Sequence, residues 1–180
     1  MLNTDKLCMG CMNENGGQSI CPACGYDSSQ GNGKNKLPIK FVLGGRYVIG
    51  RVISENSEST TYIAFDGSQD TAVTVREYFP EEFAVRQPDK TVSIIEGKSF
   101  AFNEGLMQFM ELNTRLMTLE LACVNRVTDV FEENGTAYYV MDYIEGESLG
   151  DMVKRRGAIP EAEAIGYIKE VGSALSYIHG

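Results

Sequence analysis

The chain has 180 residues, with 25 Asp and Glu against 16 Lys and Arg, and a net charge of −9. That balance argues against a nucleic-acid binder, which needs surplus Lys and Arg to neutralise phosphates, and against a polybasic membrane-surface protein. No run of about 18 apolar residues is present to span a bilayer, and Met1 to Cys8 lacks the apolar core of a signal peptide, so the chain reads as cytoplasmic.

Four of the five cysteines fall in the first 24 residues, as Cys8-x-x-Cys11, nine residues, then Cys21-x-x-Cys24. Two such turns facing each other offer four thiolates to one tetrahedral ion, the shell that zinc favours; iron fits the same shell. Four thiolates leave no open coordination position, so the metal is expected to be structural. Gly10 and Gly25 let backbone N–H groups turn toward the sulfurs, and Gly16-Gly17 suits a hairpin between the two turns. So short a segment cannot build a core, and metal binding must supply its folding energy. The alternative, two disulfides, requires an oxidising compartment, for which no export signal is visible. Cys123, alone in an apolar stretch, reads as a small buried core residue.

Residues 27–36 contain no Val, Ile, Leu, Met or aromatic residue and carry two glycines, which predicts a flexible linker. The expected organisation is a zinc ribbon over 1–26, a linker over 27–43 and a larger domain over 44–180. The first 36 residues balance three positive against three negative side chains, so the excess negative charge belongs to the larger domain.

In that domain Arg46 to Ile53 and Thr60 to Phe65 alternate in strand fashion around a polar turn, Ser54 to Ser59, and Thr71 to Tyr78 adds a third strand. Thr91 to Ile95 reads as a short extra strand. Apolar residues at Leu106, Phe109, Met110, Leu112, Leu116, Met117 and Leu119 predict a helix over 102–121, with Asn113 and Arg115 on its other side. Val127 to Phe131 and Thr136 to Met141 form a hairpin whose turn is Asn134-Gly135. Leu149, Met152 and Val153 mark a short helix. Pro160-Glu161 opens a longer one, with an apolar face of Ile165, Ile168, Val171, Leu175 and Ile178. The expected architecture is α+β: a five-stranded antiparallel sheet with one packed helix, followed by helices.

This order and its local sequences resemble the bacterial serine/threonine protein kinases of the eukaryotic-like fold, over residues 44–180. The resemblance rests on Gly45-Arg46-Tyr47-Val48-Ile49-Gly50-Arg51-Val52, on Val75-Arg76-Glu77-Tyr78-Phe79-Pro80, and on the stretch from Val130 through Phe131-Glu132-Glu133-Asn134-Gly135 to Glu147-Ser148-Leu149. It implies an amino-terminal lobe with its αC helix, then the first helices of the second lobe. It implies a nucleotide pocket at Ile53, Thr61, Thr74, Arg76, Met141, Asp142 and Ile144, with Asp142 to Ile144 as the hinge. ATP and magnesium are the family's ligands, and a protein is its substrate or partner.

Phosphoryl transfer needs phosphate positioning, charge neutralisation and a base. The family's glycine-rich loop, G-x-G-x-x-G-x-V, is met here by Ser54, Asn56 and Ser59 at its glycine positions and Thr61 at its valine. Glu58 adds negative charge in that loop. The strand lysine is replaced by Arg76, whose planar fork differs from an ammonium point charge. The lysine's αC glutamate partner aligns with Leu112. Glu111 is its neighbour, but one residue turns a helix by about 100°, so the two cannot both face Arg76. His179, the only histidine, is not followed by Arg-Asp. The resemblance places the catalytic loop and the magnesium-binding Asp-Phe-Gly after Gly180, so no residue here serves as base or metal ligand for transfer. The expectation is a degenerate, pseudokinase-like fragment. The alternatives are the opening part of an active kinase, and an interaction protein in which the ribbon recruits a partner.

Overall fold

The computed structural model describes residues 4–119 and 124–179. Two units form, residues 1–118 with 127–143, and residues 119–126 with 144–180. Cys123 and the end of the predicted helix at Leu121 lie outside the described residues, as do the side chains of Ile178 and His179.

The first unit is built on one antiparallel sheet of β1 (Val42–Leu43), β2 (Tyr47–Glu55), β3 (Ser59–Asp66), β4 (Thr71–Tyr78), β7 (Val127–Glu133) and β8 (Thr136–Asp142), in the order β1-β2-β3-β4-β8-β7. The expected five strands are all present. The sixth, β1, is a two-residue edge strand, too short to leave an alternation signal. A separate ribbon pairs β5 (Ala84–Arg86) with β6 (Val92–Ile94). β6 is the predicted extra strand; its partner β5 is too short to be anticipated from the sequence. At the β7–β8 turn, Asn134 and Gly135 have φ of 55° and 74°, the left-handed pair that a tight hairpin requires.

Direct cross-strand partners share a face. One face stacks three rows: Ser59 and Tyr78; Thr61, Arg76 and Tyr139; Ile63, Thr74 and Met141. The opposite face carries Tyr62, Ala64, Val73, Val75, Tyr138 and Val140, which pack with Tyr47, Ile49, Leu37 and Leu43 into the largest core cluster. Helix α1 (Ser99–Leu116) covers one end of the first face, where Phe109 lies 5.5 Å from the ring of Tyr78 and 5.2 Å from that of Tyr139. The helix stops at Leu116, short of the predicted 121. Asn113 is buried, against its predicted place on the polar side, and its amide is satisfied by donating to the Phe109 carbonyl one turn back at 2.7 Å.

Residues 32–43 run along the sheet. The Asn32 amide donates to Leu37 O (2.9 Å) and Gly50 O (2.8 Å), and its oxygen accepts from Val52 N (3.0 Å). Leu37 is fully buried, and its N–H donates to the Tyr62 hydroxyl. Composition suggests a free linker here because Asn, Gly and Lys bury no apolar area; a single amide with three backbone bonds pins the segment instead.

Two ion pairs brace the sheet. Arg86 Nη2 donates to Glu77 Oε2 at 2.6 Å with both side chains buried, and the Tyr62 and Tyr138 hydroxyls donate to the same carboxylate at 3.0 and 2.8 Å. Arg46 forks onto Asp66 with bonds of 2.8 and 2.6 Å. That fork holds the Asp66 carboxyl below the ordinary carboxylate range, with burial pulling the other way. A carboxylate depressed on folding stabilises the fold above its unfolded pKa of about 3.9, and the benefit is lost as pH falls through the lower folded value. Melting temperature followed from pH 6 down to pH 2 should therefore fall more steeply for the wild type than for Asp66→Asn.

In the second unit, α2 (Leu149–Arg156) is capped by Ser148, whose hydroxyl accepts from Asp151 N at 3.1 Å, and it ends in Lys154, Arg155 and Arg156 against the negative end of its dipole. Helix α3 (Glu161–His179) begins just after Pro160 as predicted, and Ile165, Ile168, Val171 and Leu175 on its apolar face are exposed.

Candidate metal centre and nucleotide face

The cysteine module consists of two matching turns. In the first, Cys8 N donates to Asn13 O and Met12 N returns to Cys8 O; in the second, Cys21 N donates to Tyr26 O and Gly25 N returns to Cys21 O. A bridge closes each, Leu7 with Glu14 and Ile20 with Asp27. Gly10 N donates to Cys8 Sγ at 3.2 Å, whereas the Gly25 N–H goes to the Cys21 carbonyl. Gly10 also meets a steric need: a Cβ there would sit 2.3 Å from Tyr26 Cβ.

The four thiols lie within 4.8 Å of one another, with Sγ separations of 3.6 Å for Cys8 and Cys24 and 3.9 Å for Cys11 and Cys21. A disulfide needs about 2.05 Å. Four sulfurs at about 2.3 Å from a central ion stand about 3.8 Å apart along a tetrahedron's edges. All four thiols are free, and the donor set fits a metal ion. Burial pushes the Cys8 thiol up to about 12 in the metal-free site, with the Gly10 N–H pulling it back down.

Of the expected pocket positions, Thr61, Thr74, Arg76 and Met141 come together on one face of the sheet through strand register. Thr61 and Thr74 are buried, while Ile53 is half exposed at the end of β2. Asp142 closes β8 and is exposed; Ile144 belongs to the second unit and is exposed there.

The turn between β2 and β3 is closed on itself. Asn56 Oδ1 accepts from Glu58 N (3.0 Å), Ser59 N (2.8 Å) and Ser59 Oγ (2.9 Å), while Asn56 N donates to Ser59 O. Arg76 Nε donates to Ser59 Oγ at 2.8 Å, which joins the strand cation to the same turn. Phe79 N donates to Glu58 O, tying the turn to the end of β4. A cavity of about 440 Å³ opens beside Arg76, lined by Glu58, Phe109, Tyr139 and, one turn apart on α1, Gln108 and Leu112. Glu111 is not among its walls and pairs with Arg115 at 2.5 Å. The helix therefore presents an amide and a leucine to Arg76, as the 100° argument requires.

Sequence reasoning missed the Glu77, Arg86, Tyr62 and Tyr138 cluster. Its available signal was the alternation of Arg76 and Glu77 within one strand, which sends the two charges to opposite faces.

A family model for the protein kinase domain matches residues 98–180. The chain is 25% identical over 156 residues to the serine/threonine-protein kinase PksC of Streptomyces coelicolor, covering 84% of this chain and 26% of that protein. It is 24% identical over 137 residues to PrkC of Bacillus subtilis, covering 76% and 18% respectively. Among solved structures, the apo form of PpkA-294 superposes with a TM-score of 0.63 at 26% identity, over 68% of this chain and 44% of that one. The PknI kinase domain of Mycobacterium tuberculosis, solved as a point mutant, gives 0.60 at 18% identity over 80% and 52%. The chain spans about a quarter of the length of the first curated relatives. Its fold is α+β and protein-kinase-like, and among the described residues no helix is long and apolar enough to cross a membrane.

Proposed function

We propose that the chain is a degenerate serine/threonine kinase-like signalling module, one that acts through binding and handles ATP and magnesium poorly. The observation that carries this reading is the closed β2–β3 turn. A phosphate-binding loop works by aiming free backbone N–H groups at the ligand. Here the N–H groups of Asn56, Glu58 and Ser59 are bonded within the turn, and Arg76 is bonded to Ser59. Glu58 lines the cavity beside Arg76, where its charge opposes a polyphosphate. These residues do not fit a magnesium–triphosphate group, so no transfer step is derived from them. The retained folding pattern and the family's use of protein substrates support a protein partner.

The first module is proposed to be a structural zinc ribbon, supported by the four free thiols at tetrahedral spacing. Metal analysis of purified protein should give about one zinc per chain.

Nucleotide handling is tested by thermal shift with Mg-ATP. A ligand at 100 times its Kd stabilises by about 2.7 kcal/mol. Titration to millimolar Mg-ATP should leave the melting temperature unchanged, and a saturable, dose-dependent rise would overturn the degenerate reading.

A further inference from the structure

The cysteine module is packed against the same sheet face that carries the expected nucleotide positions. Met9 and Met12, 2% and 5% exposed, bury Val48 and Ile63, with Phe65, Ala72 and Tyr143 packed around them. Ile63 is the direct cross-strand partner of Thr74, which pairs in turn with Met141. Tyr143 lies in the segment 142–144 expected to be the hinge. Along this face the order is α1 at Tyr78 and Tyr139, then Arg76 with Thr61, then Thr74 with Met141, then the cysteine module.

The contact is bonded as well as apolar. Arg51 N donates to Met9 O at 2.8 Å, and Arg51 Nε donates to Gly10 O at 2.9 Å. The register shift between Ile49 and Val52 leaves the Arg51 N–H free of the β3 ladder, so it can reach the module. Gly50 permits the approach: a Cβ there would stand 2.4 Å from Met9 O and 2.2 Å from Met12 Cε. A ribbon that recruited a partner through its apolar side chains would hold them outward. Here both methionines are spent inside the chain, and among the described residues Ile20 is the large apolar residue of the module left exposed.

We propose that the four-cysteine module is a metal-dependent clamp on the kinase-like sheet, which when loaded covers the surface beside Thr74 and Met141 together with Tyr143, and when stripped of metal releases both. The physical ground is that the two turns are too short to stay folded without their ion, and Met9, Gly10 and Met12 belong to the first of them. The metal arm of this inference rests on the zinc reading above; the docking itself does not.

Hydrogen exchange on the full chain tests it, with and without a zinc chelator. Chelation should raise exchange at Arg51 and in peptides spanning 48–52 and 63–65 by about tenfold or more, and leave β5–β6 unchanged. Gly50→Ala, which touches no cysteine, should produce the same pattern with metal content intact. Met12→Asn is a gentler version, since Met12 has φ of 59° and asparagine tolerates that conformation. Unchanged exchange at Arg51 in both variants would overturn the docking. A chain isolated without metal, and indifferent to added zinc, would overturn the metal dependence along with the zinc reading. The two variants would still decide whether the module covers the face.

Discussion

Replacing Glu77 with alanine is expected to cost about 3–5 kcal/mol of unfolding free energy, the usual penalty for stranding one partner of a buried ion pair. Glu77 is fully buried and accepts from three donors, Arg86, Tyr62 and Tyr138. Without it the Arg86 guanidinium, 2% exposed, keeps two carbonyl bonds, to Asn35 and Lys90, and its place over the Phe79 ring at 4.6 Å. These do not neutralise a charge. Burial is the largest cause that pushes both phenols up, and it remains when the carboxylate is gone, so neither tyrosine supplies the missing negative charge near neutral pH. Urea denaturation measures the loss. The double substitution Glu77→Leu, Arg86→Met should recover most of it, because an apolar pair of similar volume removes the stranded charge. A loss under about 1 kcal/mol in the single variant would mean the cluster is not a stabilising centre.

The second large effect is expected at the metal centre. Cys11→Ser with Cys21→Ser should abolish stoichiometric zinc binding, since two ligands of four are lost from a site of the kind that contributes about 10–16 kcal/mol of apparent binding energy. Metal analysis after gel filtration reads the result directly, and zinc retained at one per chain would sink the four-thiolate assignment. Binding should also weaken in acid. Each thiol must shed its proton to ligate, and burial pushes the Cys8 thiol up to about 12 when no ion is bound. Lowering the pH from about 8 to about 5.5 should release the metal from the wild type, because protons compete with the ion for the thiolates.

Several parts of this molecule are legible in the sequence because the information is local. The two Cys-x-x-Cys turns need only four residues each to aim their sulfurs. Asn134-Gly135 announces its hairpin because few residues accept positive φ twice in succession. The alternation from Thr71 to Tyr78 gives β4 with its observed bounds, and it also separates Arg76 from Glu77 by face. Helix geometry alone says that Glu111 and Leu112 cannot both face Arg76, and the structure puts Leu112 on the cavity.

What the sequence alone could not decide depends on partners distant along the chain. Asn32 looks like linker composition until Gly50 and Val52 stand beside it. Glu77 looks like an ordinary strand residue until Arg86, Tyr62 and Tyr138 converge on it from three other strands. The cysteine pattern supplies four thiols that could hold one metal ion and says nothing of where that cluster sits. Only the tertiary structure sets Met9 and Met12 on Ile63, because an apolar contact has no sequence spacing and is fixed by which surface remains to be covered.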